Sequence, residues 1–236
     1  MTGKAKTTEA KSTEARPAEP GHSETRQRLI ETAERLFAER GIDAVSMRLI
    51  NREAGQLNTS SIHYYFGSRD AVIEAVVERR MSVINRRRLA LLEQLRAAAG
   101  EISLRDIVAS YVRPLAAQSE GGRDGNNGGN YVRFLAQAYA SAEIDIAHLA
   151  RGRWDESLQQ VAEMARGLLP GMPEPLFRER MGIVFRAVVY ALADRERDSL
   201  GQRQRPNRPA RDVFVEDLID MQTAALRTSG AAPGVA

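Results

Sequence analysis

Apolar residues along this 236-residue chain recur mainly at intervals of three and four, the period of helices that bury one face. Leu29, Ile30, Ala33, Leu36 and Phe37 fill one such face, and Arg40-Gly41 closes it. Ser23 is its expected N-cap, with Glu24 in the first turn. Ser46 then opens a short second helix with Met47, Ile50 and Ala54 inward. Gly55-Gln56-Leu57 makes a turn, and Asn58 caps a third helix to about Tyr65.

Ser68 caps a long fourth helix from Arg69 to about Ala98, whose inner face offers Val72, Val76, Ile84, Leu91 and Leu95. A fifth, from Ser103 to about Gln118, carries Ile107, Val108, Tyr111 and Leu115, with a kink expected at Pro114. The stretch GGRDGNNGGN (121–130) is a loop. It is no phosphate loop, because no strand precedes it and no Gly-Lys-Ser/Thr follows. Helical pattern resumes from Tyr131 to about Ser141 and from about Asp145 to Leu169, and Pro170, Pro173 and Pro175 then break it. A strongly apolar helix spans 174–198, a loop 201–210, and an amphipathic helix 211–227. No strand pattern and no internal repeat is visible.

The expected fold is therefore all-α: an N-terminal three-helix helix-turn-helix domain over 23–68, then a helical bundle over 69–228. Residues 1–22 have almost nothing apolar and read as a disordered tail, and 229–236 as a flexible one.

Composition narrows the function classes. Apolar and charged contents of 43% and 28% are those of an ordinary globular protein. Cys is absent, which excludes disulfides and thiolate metal sites. No apolar run approaches the roughly 18 residues that span a bilayer, so a cytoplasmic protein without membrane contact is expected. The pI near 9.4 permits nucleic acid without demanding it. The only lysines are Lys4, Lys6 and Lys11, so the body's cations are arginines, suited to forked contacts with phosphate and guanine. GC-rich codon usage is the simpler cause of that bias.

The stretch LNTSSIHYYFGSRD (57–70) sets hydroxyls, an imidazole and phenols together. A recognition helix needs small polar groups for base edges and an apolar stripe that stops it rotating. Ile62 and Phe66, four apart, would turn inward, while Thr59, Ser60, Ser61 and His63 look outward. Tyr64 and Tyr65 can donate to phosphate oxygens, and Arg69 with the amides behind the Ser68 cap adds a helix N-terminus. Arg48 points out from the second helix toward guanine or phosphate. Residues 24–68 carry six arginines and six acids, so binding there rests on few contacts rather than on bulk charge. Short helical triples are common, and Tyr-Tyr-Phe serves equally well as core, so the pattern alone leaves both readings open.

The run RQRLIETAERLFAERGIDAVSMRLINREAGQLNTSSIHYYFGSRDAVIEAVV closely resembles the DNA-binding domain of the TetR family of bacterial transcriptional repressors, over about residues 24–84. Its markers are LFAERG, Ser46, REAG and HYYFGSRD. The resemblance implies a homodimeric repressor on a palindromic double-stranded DNA operator, with a helical C-terminal domain for effector binding and dimerisation. It implies that Ser46 meets phosphate, that Arg48 reaches a base, and that Thr59, Ser60, Ser61 and His63 form the reading face, with Asn58 at its head. Tyr64, Tyr65 and Arg69 would hold the backbone. Gln56-Leu57 makes the turn one residue longer than the commonest family pattern.

For the rest of the chain the expectations are coarser. The two most apolar helices, 174–198 and 211–227, are the expected dimer interface. Phe177, Met181, Val184, Phe185, Val188 and Leu192 would come from the first, and Phe214, Leu218, Met221 and Leu226 from the second. The alternative is that they pack only within their own chain. Tyr111, Phe134, Tyr139, Trp154, Met164 and Phe185 are candidate pocket residues, each equally at home in plain core. With no acid-rich or base-rich interior evident, a small hydrophobic effector is expected. His148 near Asp145 has a metal-pair spacing but no further ligand in view. No nucleophile with a nearby base is visible, so neither enzyme chemistry nor a cofactor is expected. The competing function is a helical adaptor using 174–227 as its contact surface.

Overall fold

The structure, a computed structural model, describes residues 20–58, 60–119, 129–142, 144–146, 149, 152–200 and 207–227. Among them every regular element is helical, as the period of the apolar residues predicts.

Helix α1 (Pro20–Arg40) starts ahead of the expected Ser23 cap, so residues 20–22 are helix rather than tail. Leu29, Ala33, Leu36 and Phe37 are fully buried, and Gly41 N closes the helix by donating to Phe37 O at 3.0 Å. Helix α2 (Met47–Glu53) is capped as expected, Ser46 Oγ accepting from Leu49 N at 3.2 Å. The turn to α3 (Ser61–Phe66) uses Gly55 at φ +70, a conformation that disfavours any side chain. Asn58 organises that turn rather than capping the helix, its Oδ1 accepting from Ser60 N at 2.9 Å. Helix α4 (Arg69–Ala97) is capped by Ser68, whose Oγ accepts from Ala71 N at 3.2 Å. Its distal inner face is centred on Leu92, with Leu91 and Leu95 only half-buried.

Helix α5 (Leu104–Ala116) opens on a reciprocal Ser103–Asp106 capping box and tightens after Pro114 into a 3-10 turn over Ala117–Ser119. Helix α6 (Tyr131–Ala140) follows. The single helix expected from Asp145 to Leu169 is interrupted. Gly152 sits at φ +73 and donates to Asp155 Oδ1 at 2.9 Å, and a fresh helix, α7 (Glu156–Gly167), starts beyond it. Helices α8 (Glu174–Ser199) and α9 (Arg211–Arg227) complete the chain. The 121–130 loop and His148 fall largely or wholly outside the described residues.

Helices α1–α3 pack on one another and on the start of α4, while α6 lies between α1 and α8. Helix α5 packs against α4, α7 and α9, and α8 packs beside α9. This arrangement corrects the expected interface residues, Met221 excepted. Phe177, Met181, Val184, Val188, Leu192, Leu218 and Leu226 are buried inside their own chain, and Phe185 and Phe214 are half-buried against the core. Both helices have a second, weaker apolar stripe that remains outside: Leu176, Ile183 and Tyr190 at sevenfold spacing on α8, with Val213 and Met221 on α9. Periodicity registered the stronger stripe, which α5 and α6 cover.

Among the described residues, buried Arg–Glu pairs tie the layers together. Arg80 of α4 forks onto Glu34 of α1, Nε and Nη2 each donating at 2.8 Å, and Arg79 reaches Glu31 at 2.6 Å. Arg133 of α6 donates to Glu196 of α8 at 3.1 Å. No helix of the described residues is long and apolar enough to cross a membrane.

Candidate nucleic-acid interface and regulatory cavity

The outward face of α2 and α3 is built around one buried amide that sequence reasoning missed. Asn51, 2% exposed, donates through Nδ2 to Asn58 O at 2.8 Å and accepts at Oδ1 from Ile62 N at 3.1 Å. The second helix thereby grips both the turn and the first winding of the third. Ile62 is fully buried and Phe66 packs on the core under the Arg26 guanidinium, 5.2 Å from its ring. An asparagine shortly before a glycine turn was the available signal.

With that face fixed, Ser46, Arg48, Asn58, Ser60, His63 and Tyr64 are exposed together, Ser61 and Tyr65 partly so, and Thr59 lies outside the described residues. Ser46 Oγ accepts its capping bond and keeps its own proton to donate. His63 Nδ1 lies 3.4 Å from Gly67 O, and with the proton on that nitrogen Nε2 faces out as an acceptor. Tyr64 stands edge-on to Tyr65, ring centroids 5.2 Å apart. Leu57, in the lengthened turn, is fully exposed beside them and was not anticipated as a contact.

Arg69 does something other than expected. Its guanidinium donates to Ile42 O and pairs with Asp43 at 3.8 Å, clamping the α1–α2 loop onto the start of α4. Half-buried in that clamp, it serves the scaffold. The acids of α1 are likewise neutralised locally: Glu24 pairs with Arg28 at 3.0 Å and Glu39 with Arg35 at 3.2 Å. Glu31 and Glu34 are answered instead by Arg79 and Arg80 of α4.

Behind this face lies a cavity of about 380 Å³ between α4, α5, α6, α7 and α8, within the size range of small-molecule sites. Met81 and Arg88 from α4, Tyr111 from α5, Tyr131 and Tyr139 from α6, and Phe185 from α8 are among its walls. Tyr111 donates its hydroxyl to Phe185 O at 3.0 Å, and the two rings lie 4.5 Å apart. Of the expected pocket residues, Tyr111, Tyr139 and Phe185 therefore line it. Phe134, Trp154 and Met164 do not. Phe134 fills the joint between α6 and α1, 6.0 Å from Phe37, and Trp154 is buried beside the Arg153 guanidinium, 5.4 Å from its ring. Met164 packs half-buried against the core on α7.

Arg88 is the lining residue that no pattern suggested. It is 1% exposed, its Nη1 donates to Ser157 Oγ at 2.9 Å, and its guanidinium lies 4.9 Å from the Tyr111 ring. Burial pulls its pKa down to about 10, so the charge is still present at neutral pH. The cavity and the N-terminal three-helix unit share elements. Helix α4 carries both Arg88 and the Arg69 clamp, and Ser141, just after α6, donates to Asp43 Oδ1 at 3.0 Å.

Comparison with known proteins agrees with this architecture. Residues 29–76 match the family described as bacterial regulatory proteins, tetR family, and residues 109–225 match that described as tetracyclin repressor-like, C-terminal domain. No curated protein matches the sequence. A tetR family transcription regulator from Shewanella sp. PV-4 superposes with a TM-score of 0.59 at 15% identity, covering 85% of this chain and 97% of its own. The fatty acid degradation regulator FadR from Bacillus halodurans superposes with 0.52 at 15% identity, covering 91% and 100%. At such identity these likenesses show the fold.

Proposed function

The chain belongs to the TetR family of bacterial regulatory proteins, and we propose from that premise that it is a cytoplasmic repressor released from a palindromic operator by a small ligand. The observation that carries this is the Asn51-braced α2–α3 unit, which presents Arg48, His63 and Tyr64 on one exposed face. Arg48, which pairs with no carboxylate of the described residues, reads a base edge, and Ser60, Ser61 and His63 address the groove floor. Thr59 belongs to the same reading face. Ser46, Tyr64 and Tyr65 hold the phosphate wall. Leu57 is placed for an apolar contact such as a thymine methyl.

Two copies join through the outer stripe of Leu176, Ile183, Tyr190, Val213 and Met221, forming a four-helix bundle from α8 and α9. That dimer sets the two α3 helices about 34 Å apart or a multiple of it, one helical turn of DNA. A ligand in the 380 Å³ cavity that prefers one tilt of α4 changes this spacing and weakens binding.

Gel shifts with DNA flanking the protein's own gene test the reading. A sequence-specific shift at moderate salt is expected. Tyr64→Phe should weaken binding similarly at all sequences, whereas Arg48→Ala should also relax preference at one base position. A folded dimer that gives no sequence-specific shift sinks the proposal.

A further inference from the structure

The cavity wall holds two polar atoms that the fold leaves unanswered. Arg88 Nε and the Tyr131 hydroxyl are both buried without a hydrogen-bond partner, on side chains 1% and 0% exposed. Buried polar groups are almost always satisfied, and a buried guanidinium almost always meets a carboxylate. Here the sole hydrogen bond of Arg88 among the described residues is the one it donates to the neutral Ser157 hydroxyl. That bond uses Nη1, which leaves the Nε–Nη2 edge, the edge that forks onto a carboxylate. Arg80, two turns earlier on the same helix, shows the same edge occupied by Glu34.

The cavity's own acid does not answer Arg88. Asp155 lines the space, but its oxygens accept from Gly152 N at 2.9 Å and Gln159 Nε2 at 2.7 Å. Apart from Gln159, which donates to Asp155, and the phenols of Tyr111, Tyr131 and Tyr139, the remaining walls are apolar, Met81, Leu115, Leu135 and Phe185 among them.

We propose that the cavity takes an apolar molecule carrying a single carboxylate, whose head forks onto Arg88 and accepts from Tyr131. This rests on the ligand-responsive reading above and sharpens the ligand's class, replacing the purely hydrophobic effector expected from sequence. One arginine balances one negative charge, so a monocarboxylate suits the site better than a dianionic phosphate. The phenol supplies the donor for the carboxylate's second lone pair, and the apolar walls cover the tail. Because Arg88 also holds Ser157 at the start of α7, a head group on Arg88 acts directly on the α4–α7 contact.

The test uses the full chain, with calorimetric titration of octanoate against 1-octanol. Octanoate should bind at least about tenfold more tightly, the size of a charge-assisted hydrogen bond. Arg88→Met should lose that preference while 1-octanol affinity holds, and Tyr131→Phe, which removes a single oxygen, should lose part of it. Equal affinity for acid and alcohol, octanoate binding that survives Arg88→Met, or failure of both probes to bind folded protein overturns the proposal. The gel shift stands apart. Octanoate that binds through Arg88 but leaves the DNA complex intact keeps the carboxylate site and removes its role as effector.

Discussion

Arg80 and Arg88 stand two turns apart on α4, both buried, and meet opposite surroundings. Arg80 is enclosed by Glu34 on both prongs of one edge, with Arg79 and Glu31 extending the network. Arg88 has a hydroxyl on one nitrogen and the cavity wall around it. The first arrangement joins α1 to α4 and makes the DNA-facing domain continuous with its connecting helix. The second leaves a charge exposed to whatever enters the cavity. A single helix thus carries one charge whose partner is built into the fold and one whose partner is not. The first serves rigidity and the second recognition.

The largest way to break this contrast is to empty the filled site. Glu34→Gln leaves the Arg80 guanidinium buried against an amide and should cost about 3–5 kcal/mol of unfolding free energy in urea titrations. A loss well under 1 kcal/mol would mean that Arg80 never depended on its partner. Arg88→Met should move stability the other way. The substitution removes a charge with no counter-ion at the cost of one hydrogen bond, so the variant should hold steady or gain on the order of 1–4 kcal/mol. The same substitution at Arg80 should destabilise by stranding Glu34. Opposite signs from one substitution, eight positions apart, are the sharpest expression of the difference.

A third buried charge shows what an intermediate case does. Glu196 accepts from Arg133 on one oxygen while Oε2 has no partner, and burial outweighs Arg133 to push its pKa up to about 8. The folded protein therefore keeps a proton that the unfolded chain releases in the usual carboxylate range. Stability from this group is full below that range and is lost as pH rises toward about 8. Glu34, also raised because burial outweighs Arg80, acts in the same direction. Urea midpoints should fall between pH 5 and pH 8, and Glu196→Gln should flatten much of that fall.

These buried charges mark where the sequence stops being readable. The caps at Ser46 and Ser68, the inward Ile62 and the outward His63 were all legible, because such caps and faces are local and the structure places them as expected. The arginines of α4 were not. An arginine on a long helix reads as solvated face, and what buries Arg80 lies 46 residues away on α1. Distance in sequence also hid the break at Gly152, since the apolar period runs across it. The cavity was half legible for a related reason. Aromatic identity pointed at Tyr111, Tyr139 and Phe185, but which of several buried rings borders empty space is set by packing, and Phe134 faces α1 instead. On the DNA side, residue types found the exposed face, while the grip of Asn51 beneath it needed the third dimension.

The smallest expected effect is the most specific to Arg88. Ser157→Ala removes its single hydrogen bond and should cost about 0.5–1.5 kcal/mol. Asn85 Oδ1, which accepts from Ser157 N at 3.1 Å, holds the start of α7 in place meanwhile, so the helix itself should persist. In the Arg88→Met background the same change should cost close to nothing, because the hydroxyl no longer accepts from a charge. The double-mutant cycle isolates that coupling. Repeating the single substitution with octanoate bound separates the two roles of the guanidinium. A carboxylate that takes over as its partner should shrink the Ser157→Ala penalty, whereas an alcohol in the same cavity should leave the penalty as it was.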